Sequence, residues 1–332
     1  MYVRSAIYAV EGSIVFIANT FFFLAIFRFR SLRNKYIVIL EQIASDAVSS
    51  LGITVAGIGR TIVMLLDIEE LKSRRYCMLM PWNILFLWGE TLTPVAMLTV
   101  SVDRLISVLF PLNYFKCSRS TQIFEVSVGC CVVAALSIEN WILTFPETDQ
   151  KFSPACLTSS SWQPFHDHVF FALKVFASSS SVLVYFFVFL IARKYSVRAK
   201  SLQRGQVALD AFQKRQRQLT ITMGISCAFT LIVYVLPTCV KYAFQYSDDA
   251  DFVEFISIYS AISSYMNPLV NLTILFIRQL DIRDAVRKSR PITWRNGARY
   301  THDDKGWNVC RANRDPIFQL QQQLSKHFIN YC

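Results

Sequence analysis

The sequence predicts an all-α membrane protein, a bundle of seven transmembrane helices with the N-terminus outside and the C-terminus inside. Three observations carry that prediction. Hydrophobic residues make up 53% of the 332 and charged residues only 17%, where soluble domains carry about 25% charged residues. Mostly apolar runs recur, each at least the ~20 residues that cross ~30 Å of hydrocarbon as a helix. Lysine and arginine gather in alternate connecting loops.

Seven runs meet the length requirement, at about 7–27, 36–66, 81–110, 121–145, 167–192, 218–244 and 252–277. A backbone in lipid must satisfy its own polar groups, so each run is a helix and not an open strand. The fourth and fifth are the least apolar, because they contain Glu125, Glu139 and Lys174. Residues 1–6 form a short outer stub and 7–277 the bundle. The first run has no basic leader beyond Arg4 and no small-residue cleavage site, so it is expected to be an uncleaved anchor. No period repeats along the chain, and no two halves resemble each other as in many transporters.

Orientation follows from the loops. Segments 28–35, 111–120 and 193–217 carry 4, 2 and 8 basic residues, while the stub and loops 67–80, 146–166 and 245–251 carry 1, 3, 1 and 0. The richer set is cytoplasmic by the positive-inside rule. The net charge of +11 is then a topology signal and a preference for anionic inner-leaflet lipid. The basic residues sit at membrane ends and form no single soluble patch, which argues against a nucleic-acid partner.

The inner loop "RKYSVRAKSLQRGQVALDAFQKRQRQ" is expected to prolong the fifth and sixth helices. After the seventh run, "IRQLDIRDAVRK" sets Ile277, Leu280 and Ala285 among charges, as in an amphipathic interfacial helix over 278–290. The tail 291–332 is polar and mixed, and is expected to order only with a partner. Of nine cysteines, Cys130, Cys131 and Cys227 fall in spans, and Cys117, Cys310 and Cys332 in the reducing cytoplasm. Cys77 and Cys156 lie in the first two outer loops, where a bridge persists, and are the expected pair. Cys239 reads as a packed thiol.

Four landmarks interrupt the apolar runs. In "LTVSVDRLISVLFPLNY", Asp103 and Arg104 end the third span, although a charge in hydrocarbon costs ~2.5–3.5 kcal/mol on insertion scales. The pair is therefore expected to neutralise itself and point into the bundle, with Pro111 marking the helix end. In "SSYMNPLVN", Asn267-Pro268 breaks the hydrogen-bond ladder near the inner end of the seventh span, and Pro237 in "VYVLPTCV" kinks the sixth. Asp46 in "ASDAVSS" is an acid in the middle of the second span. Each alone suits a packing detail equally well; the ordered set on seven spans is specific.

Together these residues resemble the rhodopsin-like G-protein-coupled receptors over about residues 7–290. The string "MLTVSVDRLISVLFPLNY" looks most like the nematode serpentine chemoreceptors of the Srsx class. The family's Asp-Arg-Tyr motif corresponds to Asp103-Arg104-Leu105, and its Asn-Pro-X-X-Tyr motif to Asn267-Pro268-Leu269-Val270-Asn271. Asn19, Asp46, Tyr185 and Pro237 match the family's first-, second-, fifth- and sixth-span landmarks. Cys77 and Cys156 match its outer bridge. The resemblance implies a ligand-activated receptor coupled to a heterotrimeric G protein in the plasma membrane, with Asp103, Arg104, Tyr185, Pro237, Asn267 and Pro268 serving activation.

The departures are specific. Leu105 and Asn271 replace two tyrosines of the activation network. Val235, beside Tyr234, replaces the sixth-span tryptophan, and Cys131 falls near the fourth-span tryptophan position. Cys77 lies about two residues earlier than the family spacing. Arg217 replaces the acid that pairs with the motif arginine, so no ionic lock is expected there and ligand-independent activity is.

The resemblance also implies a sodium site centred on Asp46, with Thr93, Ser263, Ser264 and Asn267 as oxygen ligands of the kind a hard cation takes. A protonated, hydrogen-bonded Asp46 is the alternative. No other cofactor is implied. The ligand pocket is expected around Phe86, Glu90, Lys174 and Tyr234, with Trp82 and Trp88 as further aromatics. Glu90 is an acid inside a span and a functional candidate on that ground. It could face a cationic ligand or pair with Lys174.

The ligand is expected to be a small molecule, because the outer loops are short. A neuropeptide is the alternative within the fold, and Asp248, Asp249, Asp251 and Glu254 would suit a basic one. A transporter or channel subunit is disfavoured by the span count and the missing repeat. An opsin needs a seventh-span lysine, and that position is Ala261. An enzyme is disfavoured too, since His166 and His168 have no convergent ligand set.

Overall fold

The computed structural model describes residues 2–67, 70–202, 218, 220–222, 224–244 and 250–289. Seven helices in it are long and apolar enough to cross a membrane: Arg4–Phe27, Ile37–Leu65, Pro81–Leu109, Cys117–Thr144, Pro164–Ile191, Thr220–Phe244 and Phe252–Arg278. They are the first to seventh spans below, and "outer" denotes the end that the loop charges assign to the outside.

The bundle is inverted relative to a soluble core. Ile17, Phe124, Phe176 and Phe255 are exposed, while Asn19, Asp46, Asp103, Arg104 and Asn267 are buried. Lipid solvates apolar side chains and not polar ones, so the polar residues of each helix turn inward. Small residues set the helix crossings. A Cβ at Gly57 would stand 2.5 Å from the Ala9 nitrogen, and one at Gly89 2.6 Å from the Ser49 Cα. The second span can approach the first and third that closely only because both positions lack a side chain.

Residues 2–6 of the expected outer stub are helical. The first helix starts at Tyr2, because 2–6 contains no breaker and the Arg4 Nε donates to the Tyr8 hydroxyl one turn on, at 2.8 Å. The first inner connection contains a short helix, Arg30–Arg33. The second is helical throughout: Pro111 opens a helix that runs to Thr144, with one kink at Cys117, since proline is well suited to a first helical turn. The fifth helix continues to Leu202, as the basic loop predicts; the matching extension of the sixth, and Arg217, lie outside the described residues.

At the outer end, Cys77 and Cys156 are bridged. Lys72–Ser73 and Gln150–Phe152 pair as a two-stranded antiparallel ladder, so the first two outer loops are joined twice. Cys156 holds a positive φ of 44°, a costly conformation for a side chain with a Cβ. Its carbonyl accepts from Trp82 Nε1 at 3.2 Å, Asn83 Nδ2 at 3.1 Å and Arg60 Nη2 at 3.5 Å, which fixes it.

After the seventh span a helix runs Leu280–Ser289. Its inward face is Ile282, Ala285 and Val286, all buried. Ile277 and Leu280, expected to share the apolar face, are exposed. The 3.6-residue period places them on the other side of the axis. Lys35 forms an ion pair with Asp281 that ties this helix to the first inner connection.

The sixth span contains a π turn over Leu231–Val235. Pro237 has no N–H, so the carbonyl four residues earlier, on Val233, loses its donor. The Ser263 hydroxyl of the seventh span donates to that carbonyl instead. An unsatisfied carbonyl in the bilayer costs several kcal/mol, and this hydrogen bond binds the kink to its neighbour.

Candidate functional site

The second, third, fifth, sixth and seventh spans enclose a cavity of about 150 Å³ toward the outer half of the bundle. Glu90, Lys174, Tyr234, Thr238 and Lys241 line it, and Asp46, Thr93, Ser264 and Asn267 border it as well. Gly89 admits the second span, which is how Ser49 and Ser50 reach the same space. Glu90 and Lys174 form an ion pair. Lys174 also stands 5.8 Å from the Trp162 ring centroid. Of the two partners considered for Glu90, the structure supplies Lys174.

Three expected pocket aromatics, Phe86, Trp82 and Trp88, are elsewhere. Phe86 is buried in an outer cluster with Tyr8, Ile53, Trp82 and the Cys77–Cys156 bridge and does not line the cavity. One turn of helix above Glu90 it meets the tied loop and not open space. Trp88 lies on the outside of the bundle, 37% exposed. Lys241 was not among the expected residues. Its spacing was the available signal: Tyr234, Thr238 and Lys241 follow at four and three, one face of a helix.

The five oxygens expected around sodium divide. The Thr93 hydroxyl donates to Asp46 Oδ1 at 3.2 Å, and Asp46, Thr93, Ser264 and Asn267 share the cavity wall. Ser263 does not line it, since the π turn has drawn its hydroxyl to Val233. Asn19 donates to Val15 within its own helix at 2.9 Å.

At the inner end, Arg104 is buried and ion-paired with Asp103. Asp103 Oδ1 also accepts from the Tyr114 hydroxyl at 2.7 Å, and Tyr114 in turn accepts from Gln122 Nε2 at 2.8 Å. Burial, and then the Asp103 carboxylate beside it, push the Tyr114 hydroxyl above its ordinary pKa. It therefore stays a neutral donor at any physiological pH. Tyr185 is buried within electrostatic reach of Arg104.

The sixth and seventh spans are joined by a polar stripe. Gln218, Thr222, Ser226 and Thr230 recur at every fourth residue, so they form one line along the helix. Thr230 donates to Asn267 Oδ1 at 2.8 Å and Ser226 to Asn271 Oδ1. Thr222 accepts from Arg278 Nε at 3.3 Å and Gln279 Nε2 at 3.1 Å, and Gln218 donates to the Arg278 carbonyl at 2.8 Å. Asn271, which stands where relatives carry tyrosine, is thus occupied by Ser226. The expected loss of the ionic lock at Arg217 leaves this stripe as the described attachment of the inner sixth span.

No curated protein matches the chain. The family model for the serpentine-type seven-transmembrane G-protein-coupled chemoreceptors Srsx matches residues 13–289. That match begins inside the first span and takes in the other six spans and the helix after them. The chain belongs to the Srsx family of seven-transmembrane chemoreceptors.

Proposed function

We propose that the chain is a plasma-membrane receptor, N-terminus outside, that binds a small molecule in the outer cavity and couples to a heterotrimeric G protein at its Arg104 end. The observation that carries this reading is the cavity itself: five spans converge on it beneath loops tied by a disulfide. A ligand that binds better when the sixth span is displaced shifts the population toward an open inner cleft. A short peptide dipping into the same cavity is the second ligand class. Membrane lipid, anionic on the inner leaflet, is the remaining partner.

The oxygens of Asp46, Thr93, Ser264 and Asn267 suit a sodium ion in number and hardness, with Ser263 omitted. A cation bound there would neutralise Asp46. Replacing sodium by choline in the assay medium should then alter agonist potency in the native receptor and not in Asp46→Asn.

The test of function is a compound and peptide panel on cells expressing the full chain with a promiscuous G-protein reporter. A dose-dependent second-messenger response that G-protein inhibition abolishes supports the reading. A ligand-evoked ion flux insensitive to such inhibition would assign the chain to transport instead.

A further inference from the structure

We propose that the first inner connection and the helix after the seventh span together form a docking surface for a multiply phosphorylated inositol lipid of the cytoplasmic leaflet. This sharpens the anionic-lipid partner named above and rests on the same orientation, N-terminus outside.

Two segments far apart in sequence build the surface. Ile282 and Val286, on the inward face of Leu280–Ser289, pack into one cluster with Ile26 and Tyr36. The Lys35–Asp281 ion pair closes the join. Residues 28–35 carry four basic side chains and no acid, and 278–289 carry four basic side chains and two acids. Two of those cations are committed, Lys35 to Asp281 and Arg278 to the Thr222 hydroxyl at 3.3 Å. That leaves six cations against Asp284 among the described residues. Arg28, Arg30, Arg287 and Lys288 are exposed. The sequence that follows, 290–332, contains seven basic and three acidic residues, so its own charge cannot neutralise the surface.

The surface lies at headgroup depth. Phe27 and Arg278 end the first and seventh spans, and the Arg33 guanidinium stands 5.0 Å from the Phe27 ring centroid. Ile277 and Leu280 are exposed, and in a membrane that side faces hydrocarbon, so the helix lies along the boundary with its cations beside the lipid phosphates. Clusters of about four to eight basic residues just inside a span suit phosphatidylserine and phosphoinositides alike. The residue types decide between them. Five of the six remaining cations are arginines, whose planar fork takes two oxygens of one phosphate. A phosphoinositide offers monoester phosphates to such forks from both segments at once. Phosphatidylserine offers one net charge, with an ammonium beside its carboxylate.

The experiment titrates the purified full chain in neutral detergent with fluorescent phosphatidylinositol bisphosphate, fluorescent phosphatidylserine and the free inositol trisphosphate headgroup. The bisphosphate lipid should bind at least about tenfold more tightly than either of the others. Each cation near an anionic lipid is worth about fivefold. Arg28→Gln with Arg30→Gln, and separately Arg287→Gln with Lys288→Gln, should therefore each weaken it by about ten- to thirtyfold. Arg119→Gln, exposed in the second inner connection, should leave it unchanged. Equal binding of phosphatidylserine would overturn the inference in favour of unspecific surface charge, and equal binding of the free headgroup would make the partner a soluble anion. Loss from only one of the two pairs would refute a joint surface. Binding is measured without agonist or G protein, so these outcomes leave the receptor reading intact. An N-terminal tag that antibody reaches only in permeabilised cells would overturn the orientation, and the inference with it.

Discussion

The polar stripe between the sixth and seventh spans predicts a gain of function. Ser226→Ala combined with Thr230→Val removes the hydrogen bonds to Asn271 and Asn267 while nearly keeping side-chain volume. Hydrogen bonds between membrane helices average about 0.6 kcal/mol each in double-mutant cycles. Two of them lost from the closed arrangement alone amount to about 1.2 kcal/mol, or roughly a sevenfold rise in the open population while that population is small. The assay is ligand-independent second-messenger output, normalised to receptor number at the cell surface. Thr273→Val is the control, since Thr273 is exposed and bonds only the Leu269 carbonyl of its own helix, at 2.7 Å. Basal output in the double variant equal to that of the native chain, at equal surface number, would refute the stripe as a restraint on the sixth span. A rise in the control as large as in the double variant would refute it equally.

Three other predictions rest on single contacts. Glu90→Gln leaves Lys174 without its carboxylate in a partly buried site, where the cost is below the ~3–5 kcal/mol of breaking a fully buried pair from one side; surface expression should fall, and Glu90→Gln with Lys174→Met should restore it. Failure of the double variant to recover would mean the pair is not what the single change disturbs. Cys77→Ser should lower the midpoint of thermal unfolding, since a bridge contributes about 2–4 kcal/mol; maleimide labelling of both cysteines in unreduced surface protein would contradict the bridge itself. Arg104→Ala should preserve ligand binding and surface number and abolish the second-messenger response; undiminished signalling would remove Arg104 from the coupling mechanism.

The spans were legible because lipid imposes one length and one periodic requirement on every helix, and no tertiary context relaxes either. Their ends moved by a few residues, and the first helix already begins at Tyr2, because helix termini depend on local contacts such as Arg4 to Tyr8. The Cys77–Cys156 bridge was legible from compartment alone. What was not legible was rotation. Phe86 and Glu90 are one turn apart in sequence, yet Phe86 packs under the tied loop while Glu90 faces the cavity. That division depends on where Gly89 lets the second span approach. Ser263 was assigned to Asp46 by position in the chain, and a π turn in a different helix redirected it to Val233. Lys241 resembled an ordinary interfacial lysine until the helix face it shares with Tyr234 and Thr238 was known.

The same geometry links the two ends of the bundle. Asn267 borders the outer cavity and also accepts from Thr230, the outermost member of the stripe. Below it, a smaller cavity of about 20 Å³ is bordered by Thr222, Ser226 and Asn271, and Asp46 and Pro268 border both spaces. That volume admits about one water, given the ~10–15 Å³ one requires. A ligand touching Tyr234, Thr238 or Ser264 therefore contacts the two helices that the stripe joins, one turn from its first hydrogen bond. Coupling between sites requires a two-state element that both can bias. The stripe is a candidate for that element: Gln218, Ser226 and Thr230 donate across it, Thr222 accepts from Arg278 and Gln279, and the cavity wall is built from both helices. The Ser263 bond to Val233 lies outward of the stripe, so the sixth span can swing at its inner end while its kink stays attached. If the sixth span moves as proposed for activation, the motion that the stripe restrains is a rotation about the π turn at Leu231–Val235.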